Sequence, residues 1–234
     1  MILMPGFDGT GELFDPLVAA LPPNYRPAVI RYRDERKLDD YVDTVSAALP
    51  DEGAILVAES FSGPVALATM ARHPTKIRCA VLCATFVESP FLSLTKLARF
   101  VPSAMFGLNI GHRAMLRQFC VDSQCDPALM DRALKVIKSI PAATVAARLN
   151  VLAGLQVRAH CRNIRTPTLI LRATGDRLIS PSRYDQLIAS LPGALIGAVD
   201  GPHLLLQSRP KECARLIDEF VAPCADRATH RGFR

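Results

Sequence analysis

A serine hydroxyl becomes a nucleophile when a base lies within hydrogen-bond reach and an acid orients that base. The sequence offers one such set. In Ala54-Ile-Leu-Val-Ala-Glu-Ser-Phe-Ser-Gly63 an apolar run ends at Ser60, with the small residues Ala58 and Ser62 two positions before and after it. A nucleophilic serine has to project from a sharp strand-to-helix turn, which leaves room only for small side chains at those two positions. The helix that follows would aim its N-terminal N–H groups and positive dipole end at a developing oxyanion. In Ile170-Leu-Arg-Ala-Thr-Gly-Asp176 a second apolar run ends at a turn carrying a carboxylate. In Ile196-Gly-Ala-Val-Asp-Gly-Pro-His203 a third is followed by a histidine, whose neutral imidazole near pH 7 suits a general base. Singly these are a surface serine, a turn aspartate and a loop histidine. Jointly, Ser60, Asp176 and His203 each stand at the C-terminal end of an expected strand, and so on one edge of a sheet.

A fourth segment completes the chemistry. Ile2-Leu-Met-Pro-Gly-Phe-Asp-Gly-Thr-Gly11 reads as a strand, a glycine-rich loop and a helix start. Such a loop supplies one backbone N–H to an oxyanion hole, and the residue after the nucleophile supplies the other, which nominates Phe7 and Phe61. The rival reading is a phosphate-binding loop, but no Gly-Lys-Ser/Thr follows and the glycine spacing does not match a dinucleotide fingerprint. Glu88, Asp200, Glu59 and Asp8 compete with Asp176 for the acid, and His73, His112, His160 and His230 read as solvent or cap positions. The seven cysteines include no C-x-x-C pair, so no metal or redox motif is indicated, and no cofactor is implied. They read as buried or idle thiols of a reducing cytoplasm.

Positioning these residues requires parallel strands. Short apolar runs at Ile2–Met4, Ala28–Tyr32, Ala54–Ala58, Cys79–Ala84, Thr168–Arg172 and Ala194–Val199 alternate with helical periodicity. Leu38, Tyr41, Val42, Val45 and Leu49 lie on one helix face, and Leu13, Leu17 and Leu21 on another. Gly63–Ala71 is a small-residue helix able to approach a sheet closely, and Ile217, Phe220 and Val221 mark a last helix. From Ser89 to Arg162 no strand pattern occurs; helical spacing with turn prolines at Pro102, Pro127 and Pro141 predicts several inserted helices.

Together these features resemble the α/β-hydrolase fold, whose members carry Ser, Asp and His in this chain order. The resemblance spans Ile2 to about Val221 and is to small capped esterases. It implies an α/β fold with about six mostly parallel strands, a core over 1–88 and 163–224, a helical cap over 89–162 and a flexible tail over 225–234. It further implies Ser60 as nucleophile, His203 as base, Asp176 as orienting acid, and an oxyanion hole from Phe7 and Phe61. There are departures. Pro5-Gly6 replaces the usual His-Gly, Ala-Glu-Ser-Phe-Ser replaces Gly-x-Ser-x-Gly, and the two antiparallel strands that usually begin the family's sheet are missing. The expected activity is acyl transfer through Ser60 on short to medium acyl esters. Carboxylesterases that demethylate a carrier-protein-bound pimeloyl ester share the capped layout. Thioester, C–C bond and perhydrolysis chemistry use the same triad. A non-catalytic binding module remains the reading from another class, and a haloalkane dehalogenase would need Asp at Ser60.

Composition bounds the rest. The chain has 234 residues, half of them hydrophobic and 21% charged, which fits one folded domain rather than a disordered chain. No apolar run is long enough to span a bilayer. Met1–Gly6 lacks a basic run or cleavage site, so no signal peptide is expected there, and the expected location is cytoplasmic. The net charge of +6 comes with 6% aromatics and no Trp, a poor base for nucleic-acid stacking. Between Phe86 and His160, the nine basic residues Lys96, Arg99, Arg113, Arg117, Arg132, Lys135, Lys138, Arg148 and Arg158 face four acidic ones. That excess marks either solvated helix faces or a landing surface for an acidic acyl carrier protein. Phe91, Leu92, Leu94, Leu97, Phe100, Val101, Met105, Phe106 and Leu108 are core packing or an acyl pocket.

Overall fold

The computed structural model describes residues 1–90 and 111–229. Six strands, β1 (Ile2–Met4), β2 (Ala28–Val29), β3 (Ala54–Glu59), β4 (Ile77–Cys83), β5 (Thr168–Ala173) and β6 (Leu195–Val199), form one sheet in the order β2-β1-β3-β4-β5-β6. Every pairing is parallel. The chain is thus an α/β protein with an all-parallel sheet. The helices are α1 (Asp15–Ala20), α2 (Leu38–Ala47), α3 (Ser62–Arg72), α4 (His112–Met115), α5 (Pro127–Ser139), α6 (Ala142–Ala153), α7 (Arg158–Cys161), α8 (Pro181–Ser190), α9 (Leu205–Ser208) and α10 (Pro210–Thr229). A π-helical turn, Leu116–Cys120, continues α4.

Successive side chains of a strand point to opposite faces, and a central parallel strand must bury both. On β3, Leu56 and Ala58 join a core with Tyr41 and Val45 of α2, Val65 and Leu67 of α3 and Tyr184 and Leu187 of α8. Val57 joins the opposite core with Leu17 of α1 and Cys213, Ile217 and Val221 of α10. This double burial explains the uninterrupted apolar runs of the sequence. A third cluster packs Leu116, Cys120, Met130, Ala133 and Val136, from the segment between β4 and β5, over Leu13, with Leu204 packed against it.

The chain leaves β1 toward β2 on one side and returns to β3 on the other. The loops after β1 and β3 therefore part at the switch point of the sheet, the edge at which open parallel sheets place their ligands. All the candidate site residues lie on loops at that edge.

Several expectations need correction. Leu13, Leu17 and Leu21 do not share one helix: α1 is short, Pro16 sits in its first turn, and Leu13 packs instead in the third cluster. The strand expected over Ala28–Tyr32 ends at Val29, because beyond Ile30 the chain turns to the loop after β1, where Tyr32 N donates to Gly9 O at 2.8 Å. Pro127 and Pro141 start helices: Pro127 opens α5 beside the Asp126 cap, which accepts from Ala128 N at 2.9 Å, and Pro141 precedes α6. The expected tail begins inside α10, whose backbone is helical to Thr229. Between β4 and β5 no strand occurs among the described residues. Pro102, His230 and the apolar residues from Phe91 to Leu108 lie outside the described residues, as do Lys96 and Arg99. All seven cysteines are free thiols, five of them buried. Among the described residues no single helix is long and apolar enough to cross a membrane; α5 and α6 reach that length only across a 93° bend.

Candidate active site

Ser60 follows β3 directly and has a φ of 48°, the left-handed region that a non-glycine residue adopts only under constraint. The constraint is visible. Ser60 N donates to Cys83 O at 2.9 Å, while its carbonyl accepts from Gly63 N at 3.0 Å and Thr85 Oγ1 at 2.5 Å. The chain turns at once into α3. Gly63 has to be glycine, because a Cβ there would lie 1.9 Å from Thr85 Oγ1. Ala58 and Ser62 are fully buried, as the size limit around the turn requires.

Ser60 Oγ lies 2.9 Å from His203 Nε2, and His203 Nδ1 lies 2.9 Å from Asp176 Oδ2. The three residues thus form one hydrogen-bonded chain, with Ser60 7% and His203 4% exposed. Asp176 is ringed by donors. Its Oδ1 accepts from Leu178 N and Ile179 N, both at 2.8 Å, and its Oδ2 also accepts from Tyr184 Oη at 2.9 Å. Burial opposes its charge, but the His203 contact and the two backbone N–H groups outweigh burial and hold the carboxyl below the ordinary value. An ionised Asp176 accepts only, so Nδ1 of His203 carries the proton and Nε2 is free to accept from Ser60. Tyr184, which no sequence signal singles out, stays protonated because burial and the Asp176 charge both raise its pKa.

The loop after β1 runs against this chain. A Cβ on Gly6 would stand 3.8 Å from Ser60 Cβ. Phe7 and Phe61 meet edge to face with ring centroids 5.9 Å apart, and neither backbone N–H bonds another described group. Ser62, the residue in place of the second elbow glycine, donates to Pro5 O and receives a hydrogen bond from Tyr32 Oη at 2.9 Å. Its hydroxyl therefore ties the turn after β3 to the loop after β1, a use that glycine would not allow. The geometry can perform proton transfer from a serine and present unpaired N–H groups beside it.

A family model described as serine aminopeptidase, S33, matches residues 35–198. The chain belongs to this family. Its fold is that of the α/β-hydrolases. A curated relative, the pimeloyl-[acyl-carrier protein] methyl ester esterase of Aromatoleum aromaticum, is 27% identical over 205 residues, covering 79% of this chain and 80% of that protein. Among solved structures, the enol-lactonase of Burkholderia xenovorans LB400 superposes with a TM-score of 0.79 at 18% identity, covering 94% of this chain and 90% of that one. A thermophilic esterase from Thermogutta terrifontis gives 0.77 at 18% identity, over 95% and 89% of the two chains.

The other acids that competed for a role in this hydrolase lie elsewhere. Glu88 pairs with Arg183 at 3.0 Å and Arg158 at 3.2 Å. Asp200 accepts from Thr174 Oγ1 at 3.1 Å, and Asp8 is closed on Thr10. His73 bonds Ser46 Oγ, while His112 and His160 lie on the segment between β4 and β5.

Glu59 is different. It precedes Ser60, is 4% exposed, and has one oxygen, Oε2, accepting from Gln207 Nε2 at 3.1 Å. Glu59 Oε1 and Gln207 Oε1 are buried without a partner, two acceptors lacking donors. A proton on Glu59 removes one of them. Burial pushes this carboxyl up to about 7, the Asp8 charge adds to the push, and His203 and the Gln207 amide offset part of it. A carboxyl whose pKa is higher folded than unfolded stabilises the fold at low pH, and loses that contribution as pH rises toward its folded value. In urea unfolding, Glu59→Gln is therefore expected to flatten the loss of stability between pH 5 and 8, by roughly 3 kcal/mol at the upper end. Parallel stability curves for the two proteins would show that Glu59 does not carry this proton.

Proposed function

We propose that the protein is a serine ester hydrolase working through an acyl-enzyme. The observation that carries this reading is the unbroken hydrogen-bonded chain from Ser60 through His203 to Asp176, with Ser60 held on a left-handed turn. His203 Nε2 takes the Ser60 proton as Oγ attacks the ester carbonyl, and the Phe7 and Phe61 N–H groups receive the oxyanion. Collapse breaks the bond to the leaving oxygen, which takes the proton from His203. Water, deprotonated by His203, then attacks the acyl-enzyme and frees the acid and Ser60. Short to medium acyl esters are the substrate class we favour. The relative's esterase name supports ester over amide hydrolysis, and aminoacyl p-nitroanilides beside p-nitrophenyl esters test that choice against the family's peptidase description.

The test is a fluorophosphonate label followed by peptide mass mapping. An adduct on Ser60 that disappears in His203→Ala supports the reading. No adduct on folded protein moves the chain to a non-catalytic binding module.

A second reading has an observation of its own. On the inserted segment, read here as a cap, Arg113, Arg117 and Lys138 line a surface hollow of about 520 Å³. Arg117 and Lys138 make no ion pair with a described residue, whereas Arg113 and Arg132 are paired with Asp131 and Asp15. The relative acts on a carrier-protein ester, and such a basic hollow suits an acidic carrier protein. If so, added salt raises KM for a carrier-bound ester and leaves a p-nitrophenyl ester unaffected. A cytoplasmic location belongs to the same reading, and the seven free thiols support it.

A further inference from the structure

Arg148, midway along α6, is the one charged side chain that the segment between β4 and β5 buries completely among the described residues, at 1% exposed. Burying a guanidinium without a counter-charge is costly unless its donors are well used. No described carboxylate pairs with it. Its Nη1 instead donates to Phe7 O at 2.7 Å and Asp8 O at 2.6 Å, the Tyr41 hydroxyl lies beside it, and its Nε has no partner. Gly9 makes room for the group. It has a φ of +67°, and a Cβ there would lie 2.2 Å from Arg148 Nη2.

These contacts bear on one N–H. The peptide that carries Phe7 N–H has Gly6 O at its other end, and Gly6 O is fixed by Gly9 N at 3.1 Å. In a trans peptide the N–H points opposite to the C=O, so fixing Gly6 O aims Phe7 N–H. The next two carbonyls of the loop end on Arg148, and Gly9 is seated against the same guanidinium. Hydrogen bonds from a charged donor are about twice as strong as neutral ones, which suits a loop free of helix or strand.

We infer that Arg148 is a positioning residue for the oxyanion hole, through which the segment between β4 and β5 fixes the loop that presents Phe7 N–H. The inference rests on the ester-hydrolase reading for its catalytic meaning, while the clamp itself is a property of the fold. Arg148→Met leaves two carbonyls without donors and frees the loop. Arg148→Lys keeps the charge but lacks the planar fork.

The experiment combines steady-state kinetics on a p-nitrophenyl ester with hydrogen exchange of backbone amides in the full chain. For Arg148→Met, kcat falls by about 100-fold with KM within about threefold, because misaimed oxyanion donors act on the transition state rather than on binding. Exchange rises at Phe7–Gly11 and stays unchanged in β3 to β5. Arg148→Lys falls between the two proteins. Wild-type kcat and wild-type exchange in Arg148→Met overturn the inference. If Arg148→Met does not fold, Arg148→Lys decides: a kcat loss of about tenfold at unchanged Tm supports the clamp, and wild-type kcat with wild-type exchange overturns it. Should wild-type Ser60 prove inert, the ester-hydrolase reading falls, and loop exchange alone still decides whether Arg148 holds the loop.

Discussion

Ser60→Ala is expected to lower kcat on a p-nitrophenyl ester by about 10⁵-fold, with the fold and KM little changed. The hydroxyl is the only part of the side chain that the substitution removes, and alanine is smaller than serine at a turn with no space to spare. The turn itself is held by backbone and Thr85 contacts, which do not depend on Oγ. His203→Ala should cost nearly as much, and the double variant no more than either single one, because the pair acts as a unit. Rates over solvent that survive in Ser60→Ala would report the Phe7 and Phe61 N–H groups and substrate binding alone. A Ser60→Ala protein within tenfold of wild type would end the acyl-enzyme mechanism.

Asp176→Asn is expected to cost about 10⁴-fold in kcat, although it changes one atom. The reason lies in the four donors around the carboxylate. Leu178 N and Ile179 N are backbone groups and cannot reverse, so the amide oxygen of an asparagine would have to face them. Its NH₂ would then point at His203 Nδ1 and Tyr184 Oη, where a carboxylate oxygen now accepts. Imidazole would answer by moving its proton to Nε2, and that nitrogen could no longer take the Ser60 proton. Asp176→Asn should keep the wild-type Tm within a few degrees while losing turnover. Activity within tenfold of wild type would remove Asp176 from its orienting role. Tyr184→Phe removes one donor only, and should be milder.

The sheet was legible in the sequence because its central strands are buried on both faces and so read as unbroken apolar runs. Ser60, Asp176 and His203 were legible because each follows such a run at a turn, and parallel strands bring those turns to one edge. Residues that act across long separations left no such trace. Tyr184 looks like any apolar-face residue of α8, and Arg148 like one more basic residue on a charged insertion. Only folding shows that the first meets Asp176 and the second the Phe7 and Asp8 carbonyls. Ser62 does carry a signal, a hydroxyl where glycine is usual, but its small size satisfies the turn whatever the hydroxyl bonds. Helix limits failed for a local reason, since Pro16 starts α1 later than the leucine spacing implies. The basic residues of the insertion look alike in the sequence, yet Arg113, Arg132 and Arg158 pair at the surface with Asp131, Asp15 and Glu88, whereas Arg148 is buried on the loop carbonyls.

The π-helical turn Leu116–Cys120 grips the core at two places. Cys120 O accepts from Leu204 N at 2.9 Å, next to His203, and Gln118 O accepts from Arg177 Nη1 at 3.2 Å, next to Asp176. Just beyond it, Asp122 pairs with Arg209 at 2.7 Å. Anyone grafting a relative's insertion onto this scaffold would inherit a mismatch there. A chimera that splices between β4 and β5 exchanges the buttress of two core loops along with the rest of the insertion. Swaps that retain Leu116–Asp122, or that carry Arg177, Leu204 and Arg209 along as a set, are the ones that should keep turnover.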